Sequence, residues 1–443
     1  MASAQQQFRE VSQALNATGI FSGGGALIQY NSETDDQYSK RQQVSWYVND
    51  IRPACMRFVG YLTKRPALRQ TENAALQAIL DDADWRGNSI DVFFQSFMLE
   101  AKARGSMLLL VDMPNNDQTA ERPFPYFSAI APEQVSKYTL TDQGRIESID
   151  IIDTIDGKAV TRYFDEMSWK IIDGEGNILQ QGEHNLGLCP VVAFTESGEY
   201  PCIGEFAAIV GLSKRLINLR SELDEILRRH TFPIFSAQFP ILDPIAGEMP
   251  ESLQARQVSL IAALKDAVAN LGKDRGIVSP SSVGFVAPPD TPAQTYRDVI
   301  KDIEEKVAEI GFNTNQSGEK SAESGLALTI RFQALNAALT AFARRMEDFE
   351  RMVFYVAGRW LGIDADAAYS AQWSRDYQIA DVTTELSTLD ALAASNFPQE
   401  VIDEQMRTIV QLLFTNRTPA VFDAILESIG SAEVRESENE SDD

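Results

Sequence analysis

Residues 325–362 read GLALTIRFQALNAALTAFARRMEDFERMVFYVAGRWLG, and the spacing inside this stretch decides the fold. Leu328, Phe332, Leu335, Leu339, Phe342, Met346, Phe349, Val353, Val356 and Trp360 follow one another at alternating steps of four and three. That spacing keeps one apolar stripe along a helix and packs it lengthwise against neighbours. No proline interrupts the turns, and Gly362 supplies a stop. The stretch therefore predicts one long helix, with Phe332, Phe342, Phe349 and Trp360 in its core stripe.

Two shorter stretches of the same kind precede it. Ile209, Leu212, Leu216, Leu219, Leu223 and Ile226 step three and four, predicting a helix from about Gly204 to Arg229. Its end, Arg228-Arg229-His230, puts cations at the negative end of the helix dipole. Tyr296, Ile300, Ile303, Val307 and Ile310 repeat the pattern. Thr291-Pro292 with Gln294 gives that helix an N-cap, a proline at its first position and capping-box spacing. Between this helix and the long one lies Gly311–Ser324, polar, rich in turn residues and without apolar period, read as a loop.

The rest of the chain falls into place around these helices. Residues 1–40 are polar and partly helical or irregular. A helix is expected over Tyr47–Leu62, kinked or broken at Pro53, and a second over Ser89–Ala103 before Gly105. Met107–Val111 reads as a buried strand. Residues 124–196 are β-rich, with turn signals at Asp156-Gly157 and Asp173-Gly174 and a last strand at Pro190–Phe194. Residues 231–290 are mixed: a strand at 231–235, a helix over Leu253–Leu271, and short strands at 276–279 and 283–286. Helices follow at Val382–Ala393 and Pro398–Phe414. Ser431–Asp443, with six acidic residues against one arginine, reads as disordered. The fold class expected is α+β, mainly helical.

Composition narrows the function. The 443 residues carry a formal net charge of −25, with 44% hydrophobic and 23% charged residues. A chain this acidic is a poor candidate for wrapping nucleic acid by phosphate neutralisation, although DNA that must slide past without sticking is compatible with it. The N-terminus has no apolar signal core, and the longest apolar runs fall far short of the ~20 residues a membrane helix needs. The reading is a soluble, intracellular chain. Cys55, Cys189 and Cys202 have no metal-type spacing and read as free thiols.

Enzymatic and cofactor motifs find little support. His184 and His230 are the two histidines, and neither has a second ligand at metal spacing. Ser317-Gly318-Glu319-Lys320-Ser321 is close to the end of a phosphate-binding loop. However, Glu319 separates glycine from lysine, Gly311 lies two residues too far upstream, and a helix precedes it where a strand is required. Gly23–Gly25 lacks the flanking strand and lysine. No catalytic residue, metal or cofactor is expected. An acid–base enzyme using Asp81, Asp82 and Asp84 is a rival reading, but those residues look like a capping turn.

The order of segments resembles the portal, or head-to-tail connector, family of tailed bacteriophages over essentially the whole chain. Asn49–Arg52 through Gly60-Tyr61 to Pro66 looks like the N-terminal wing helix of that family. His184–Gly187 leading into Pro190–Phe194 is similar to the strand before its first stem helix, and Glu323–Leu328 to its tunnel-loop exit. The resemblance implies a portal-type subunit: a wing over 1–202, including the β-rich subdomain 124–196; stem helices over 203–230 and 291–310; a clip over 231–290; and a tunnel loop over 311–324. A long wing helix over 325–362, a crown over 363–430 and the acidic tail 431–443 complete it.

It further implies a homo-oligomeric ring, a dodecamer, at the unique capsid vertex of the virion, assembled in the host cytoplasm without a membrane. Double-stranded DNA would pass through during packaging and ejection. The partners would be the terminase large subunit, the head–tail adaptor, and the major capsid and scaffold proteins. Asn313, Asn315, Gln316 and Lys320 are the nominated DNA-proximal residues. Arg215, Arg220, Lys301 and Lys306 on the stem fit intersubunit salt bridges or solvated faces better than DNA contacts. The alternative is another structural virion assembly protein without a DNA channel.

Overall fold

The structure, a computed structural model, describes residues 2–31, 33–64, 66–114, 122–231, 234–237, 259, 283–286, 291–311, 325–375, 377, 382–395 and 397–413. Its architecture is α+β with more helix than strand. The chain divides into two units, one of residues 1–64, 68–322 and 345–372, the other of 65–67, 323–344 and 373–443.

The first unit opens with α1 (Ala2–Asn16), which buries Phe8, Val11, Ala14 and Leu15. Next comes α2 (Asp35–Val44), started by a capping box between Thr34 and Gln37. The helix expected from Tyr47 begins instead at Ile51, as α3 (Ile51–Thr63). Pro53 therefore falls in its first turn, where a missing N–H costs no hydrogen bond, and the anticipated break is absent. Its buried face is Ile51, Ala54, Cys55, Phe58, Val59 and Leu62.

Strand β1 (Leu68–Thr71) leads to α4 (Ala74–Asp81), capped by the Asn73 side chain, and to α5 (Ile90–Arg104). Gly105 ends α5 with φ +85°, a left-handed conformation that favours glycine. Beyond it β2 (Ser106–Asp112) is buried almost throughout, as its unbroken Met-Leu-Leu-Leu-Val run requires.

The β-rich stretch resolves into two antiparallel sheets. After β3 (Tyr126–Ile130) the strands β4 (Val135–Leu140), β5 (Ile146–Ile155), β6 (Lys158–Phe164), β7 (Ser168–Asp173) and β8 (Ile178–Glu183) form a five-stranded meander in chain order. Asp156 and Gly157 make the β5–β6 turn, both with positive φ. Finally β9 (Val191–Thr195) returns beside β2, giving the order β3-β2-β9. Leu108, Leu110, Ile149, Ile151, Phe164, Val191 and Tyr200 share one core between the sheets.

Helix α6 (Ala207–Thr231) follows, then β10 (Ile234–Ala237) paired antiparallel with β11 (Val283–Val286), then α7 (Thr291–Ile310). The expected capping interaction of Gln294 is replaced by one further along the helix, since its side-chain amide donates to Asp298 at 2.8 Å. The long helix runs as α8 (Gly325–Leu361), closed by Gly362 at φ +67°. From residue 345 onward it belongs to the first unit. Phe349 stacks on Phe97 with ring centroids 4.9 Å apart, and Phe354 on Tyr369 at 3.7 Å. Trp360, half-buried, donates from its indole to the Val111 carbonyl at 2.9 Å.

After α9 (Ala365–Ala368), strand β12 (Tyr369–Gln372) pairs antiparallel with β1. The sequence reading grouped residues 363–372 with the C-terminal helices, whereas they fold into the first unit. Four-residue strands some 300 positions apart leave no local period to read.

In the second unit the first part of α8 buries Leu335, Leu339 and Phe342. Asn336 accepts from the Tyr377 amide at 2.7 Å, and Thr340 donates to the Arg375 carbonyl at 3.0 Å. Helices α10 (Val382–Ala394) and α11 (Gln399–Leu413) are tied by Gln405, which donates to Glu385 at 2.6 Å. The strand expected at 276–279, the acidic tail and, apart from Ser259, the helix expected over 253–271 lie outside the described residues.

Candidate functional site

The four nominated loop residues, Asn313, Asn315, Gln316 and Lys320, lie outside the described residues, as does the near-match to a phosphate loop. What is described is the α6–α7 pair that precedes these residues in the chain, and the segments that hold it.

The pair begins where α6 leaves the sheet. Gly204, just before the helix, crosses Gly105 so closely that a Cβ on Gly204 would sit 2.8 Å from the Gly105 Cα. The Gly204 amide donates to the Arg104 carbonyl at 2.8 Å. Beside this crossing lies the Lys102 ammonium, almost fully buried. It donates to Glu196, just past β9, at 2.9 Å and to Glu205, just before α6, at 2.7 Å. The rings of Phe58 and Phe206 cover it at 4.4 and 4.5 Å. Burial pushes the Glu196 carboxyl up, ahead of the lowering effect of Lys102. One cation thus closes both ends of the loop from β9 to α6.

Along its length α6 is held by the segment between α1 and α3. The Asn218 side chain accepts from the Ile28 amide at 3.0 Å and donates to the Ala26 carbonyl at 3.0 Å. Arg41, buried, donates to Glu33 at 2.7 Å and to the Ile28 carbonyl at 2.6 Å, with Tyr30 at 4.9 Å from its guanidinium carbon. The Tyr30 hydroxyl donates to Glu222. Nothing periodic in residues 26–50 announces this clamp.

Helix α7 runs back beside α6. Arg220 of α6 donates to Glu304 of α7 at 2.6 Å, and its guanidinium carbon lies 5.4 Å from the exposed Trp46 ring. Glu222 is bonded by Tyr296, whose hydroxyl pKa is raised chiefly by that bond. Asp50 sits at the same junction. Burial raises its pKa, Arg220 opposes that, Glu304 adds to it and Arg57 opposes it. The other cations of α6 and α7 considered in the sequence differ from Arg220: Lys301 lies 3.8 Å from Glu305 and Lys306 2.7 Å from Glu309, both on their own helix, and Arg215 is exposed. Arg228 pairs with Glu225 at 2.7 Å. At the far end, Gly311 packs against Ala54 of α3, so the end of α7 rests on α3.

Elsewhere the chemistry of the described side chains is that of turns and cores. Asp82 accepts from the Gly87 amide at 3.0 Å and from Arg122 at 2.5 Å. Asp84 accepts from the Arg86 amide and the Asn88 side chain, and Asp81 from Gln77. These carboxylates organise a turn. The His184 Nδ1 accepts from the Leu186 amide at 3.3 Å, and burial lowers its pKa. His230 is helical. Burial pushes the Cys55 and Cys189 thiols up to about 12, which makes them poor nucleophiles. Among the described residues no group of three or more His, Cys, Asp and Glu could hold a metal, and no helix is long and apolar enough to cross a membrane.

No protein-family model matches the chain. No curated protein matches it either. Among solved structures it is similar to a chain of the virion of a native gene transfer agent particle. The identity there is 12% over 88% of this chain and 96% of that one, with a TM-score of 0.47. It is also similar to a chain of the neck of a native particle computed with C12 symmetry (10%, covering 82% and 89%, TM-score 0.47). A third is a chain of the neck of an empty particle computed with C6 symmetry (11%, covering 78% and 87%, TM-score 0.44). A likeness of this size identifies neither family nor activity.

Proposed function

We propose that this chain is one subunit of a portal-type ring in a tailed-virus-like particle, a non-enzymatic passage for double-stranded DNA. The observation that carries the reading is the state of the α6 stripe. Ile209, Leu216 and Ile217 are buried, whereas Leu212, Leu219, Leu223 and Ile226 are only partly buried although α7 is in place. A heptad stripe left incompletely covered in one chain can be completed by neighbouring helices, and a ring of head-to-tail contacts supplies them to every subunit.

In this reading residues 231–290, between the paired helices, form the clip that docks the terminase motor and later the head–tail adaptor. Residues 311–324 form the tunnel loop, with Asn313, Asn315, Gln316 and Lys320 nearest the duplex. The ring is a dodecamer at the capsid vertex, contacting capsid and scaffold proteins. An acidic lining keeps phosphates from binding at any one point, and Lys320 makes transient contacts.

The test is deletion of the chain in a producing host. Particles made without it are expected to be empty of DNA, and filled particles would overturn the reading. Lys320→Glu is expected to leave rings intact while lowering packaged DNA several-fold; unchanged packaging would remove Lys320 from this role.

A further inference from the structure

Helix α3 is unusual in this acidic chain. Among the described helices of eight or more residues it is the one with basic and no acidic side chains. Arg52 and Arg57 lie on it, Lys64 caps its end, and all three are exposed. Met56 and Gly60 lie exposed between them. Among the described residues none of the three cations is in an ion pair, although Arg57 lies within electrostatic reach of Asp50.

Helix α7 carries the complement. Its buried positions are Ala293, Ile300, Ile303, Val307 and Ala308. Asp298, Asp302, Glu305 and Glu309 step four, three and four, which places them on one exposed ridge opposite that buried face. The cations Lys301 and Lys306 flank the ridge, in surface pairs with Glu305 and Glu309. Such pairs contribute little and exchange partners readily. At about 1.5 Å per residue, the ridge from Asp298 to Glu309 is roughly 17 Å long and the basic face from Arg52 to Lys64 roughly 18 Å.

We propose that the outward face of α3 is an interface with a second copy of this chain, seated against the acidic ridge of that copy's α7. The inference rests on the ring reading and names the faces that meet. Two different surfaces are joined, so the contact is heterologous and propagates until the rotation closes. Duplex DNA would also suit the cations of α3. A second copy is favoured because the matching acidic face, of equal length, is on the same chain, and a net charge of −25 disfavours phosphate docking.

Charge exchange tests this directly on the full chain. One variant carries Arg52→Glu and Lys64→Glu, the other Asp302→Lys and Glu305→Lys. Every position is exposed, so unchanged circular dichroism and melting are expected. Self-association is followed by sedimentation velocity and negative-stain electron microscopy at low and high salt.

Each variant alone is expected to associate at least tenfold more weakly than the wild type at low salt, with the gap narrowing at high salt. Mixing the two, or combining all four substitutions in one chain, is expected to restore assembly. Rings that form equally well in both variants would overturn the interface and leave the ring reading standing. Unaltered assembly with reduced DNA retention would overturn it in favour of DNA as the occupant of this face. A compact dimer with the same rescue on mixing would keep the interface and remove the ring. A wild-type chain that stays monomeric at every concentration would overturn both.

Discussion

Arg220 and Glu304 join α6 to α7 through a hydrogen bond of 2.6 Å, in which the arginine is mostly buried and the glutamate is about half-exposed. The pair sits where Trp46 and Asp50 meet the two helices, so it links the N-terminal segment to the α6–α7 pair.

A double-mutant cycle between Arg220→Ala and Glu304→Ala should give a coupling of about 0.5–1 kcal/mol, the range of a partly exposed pair. Arg220→Ala should cost about 1 kcal/mol more than Glu304→Ala, because the guanidinium also covers the Trp46 ring. Chemical denaturation of the four chains measures this. Equal single losses would show that the Trp46 contact contributes nothing.

Asp50 gives the same junction a pH dependence. Its folded-state pKa is raised, by burial before anything else. A carboxyl raised on folding binds its proton more tightly in the native state. Its contribution is therefore full below the unfolded value and lost as pH rises through the folded one. Asp50→Asn removes that loss. The variant should be more stable than the wild type at neutral pH, by a margin that shrinks toward pH 4. Melting curves at several pH values decide it, and a margin that grows on acidification would contradict the assignment.

Lys102 is the residue whose loss should be felt most at the start of α6. Lys102→Met leaves Glu196 buried without its cation, at a cost of about 3 kcal/mol at neutral pH. Because Glu196 already titrates high, the loss should be smaller at pH 5 than at pH 7. Hydrogen exchange should rise in the first turns of α6 before it rises in the sheets. A pH-independent loss would mean that packing on Phe58 and Phe206, and not the carboxylates, sets the effect.

Glu350 is fully buried and accepts from Arg69 at 2.6 Å and from the Tyr369 hydroxyl. Glu350→Ala should destabilise the first unit by about 3 kcal/mol, since the buried Arg69 guanidinium loses its fully buried carboxylate partner and keeps its pair with the exposed Asp91 at 2.5 Å. The double variant Arg69→Met/Glu350→Leu should recover most of that. Failure of the double variant to recover stability would assign the effect to the cavity and not to the charge.

The three long helices were legible because each repeats its apolar positions over many turns. Their observed bounds, Ala207–Thr231, Thr291–Ile310 and Gly325–Leu361, fall within a few residues of the pattern. Gly105 and Asp156-Gly157 were legible as well, since positive φ selects such residues. The β1–β12 pair was not, and neither was the hold of Arg41 and Asn218 on α6. Both depend on contacts between segments far apart in sequence that carry no period of their own. Pro53 misled because its effect depends on where the helix starts, which a short apolar run does not specify. Of the site, the two helices α6 and α7 were readable; the Arg220–Glu304 bridge within one chain, the clamp, the Lys102 closure and the Asp50 junction were not.

The ring is tested most directly by the mass and shape of the purified full-length chain, from light scattering together with negative-stain electron microscopy. Closed rings with a central opening wide enough for a duplex are the expected result. A compact dimer without an opening, stable across salt and concentration, would contradict it.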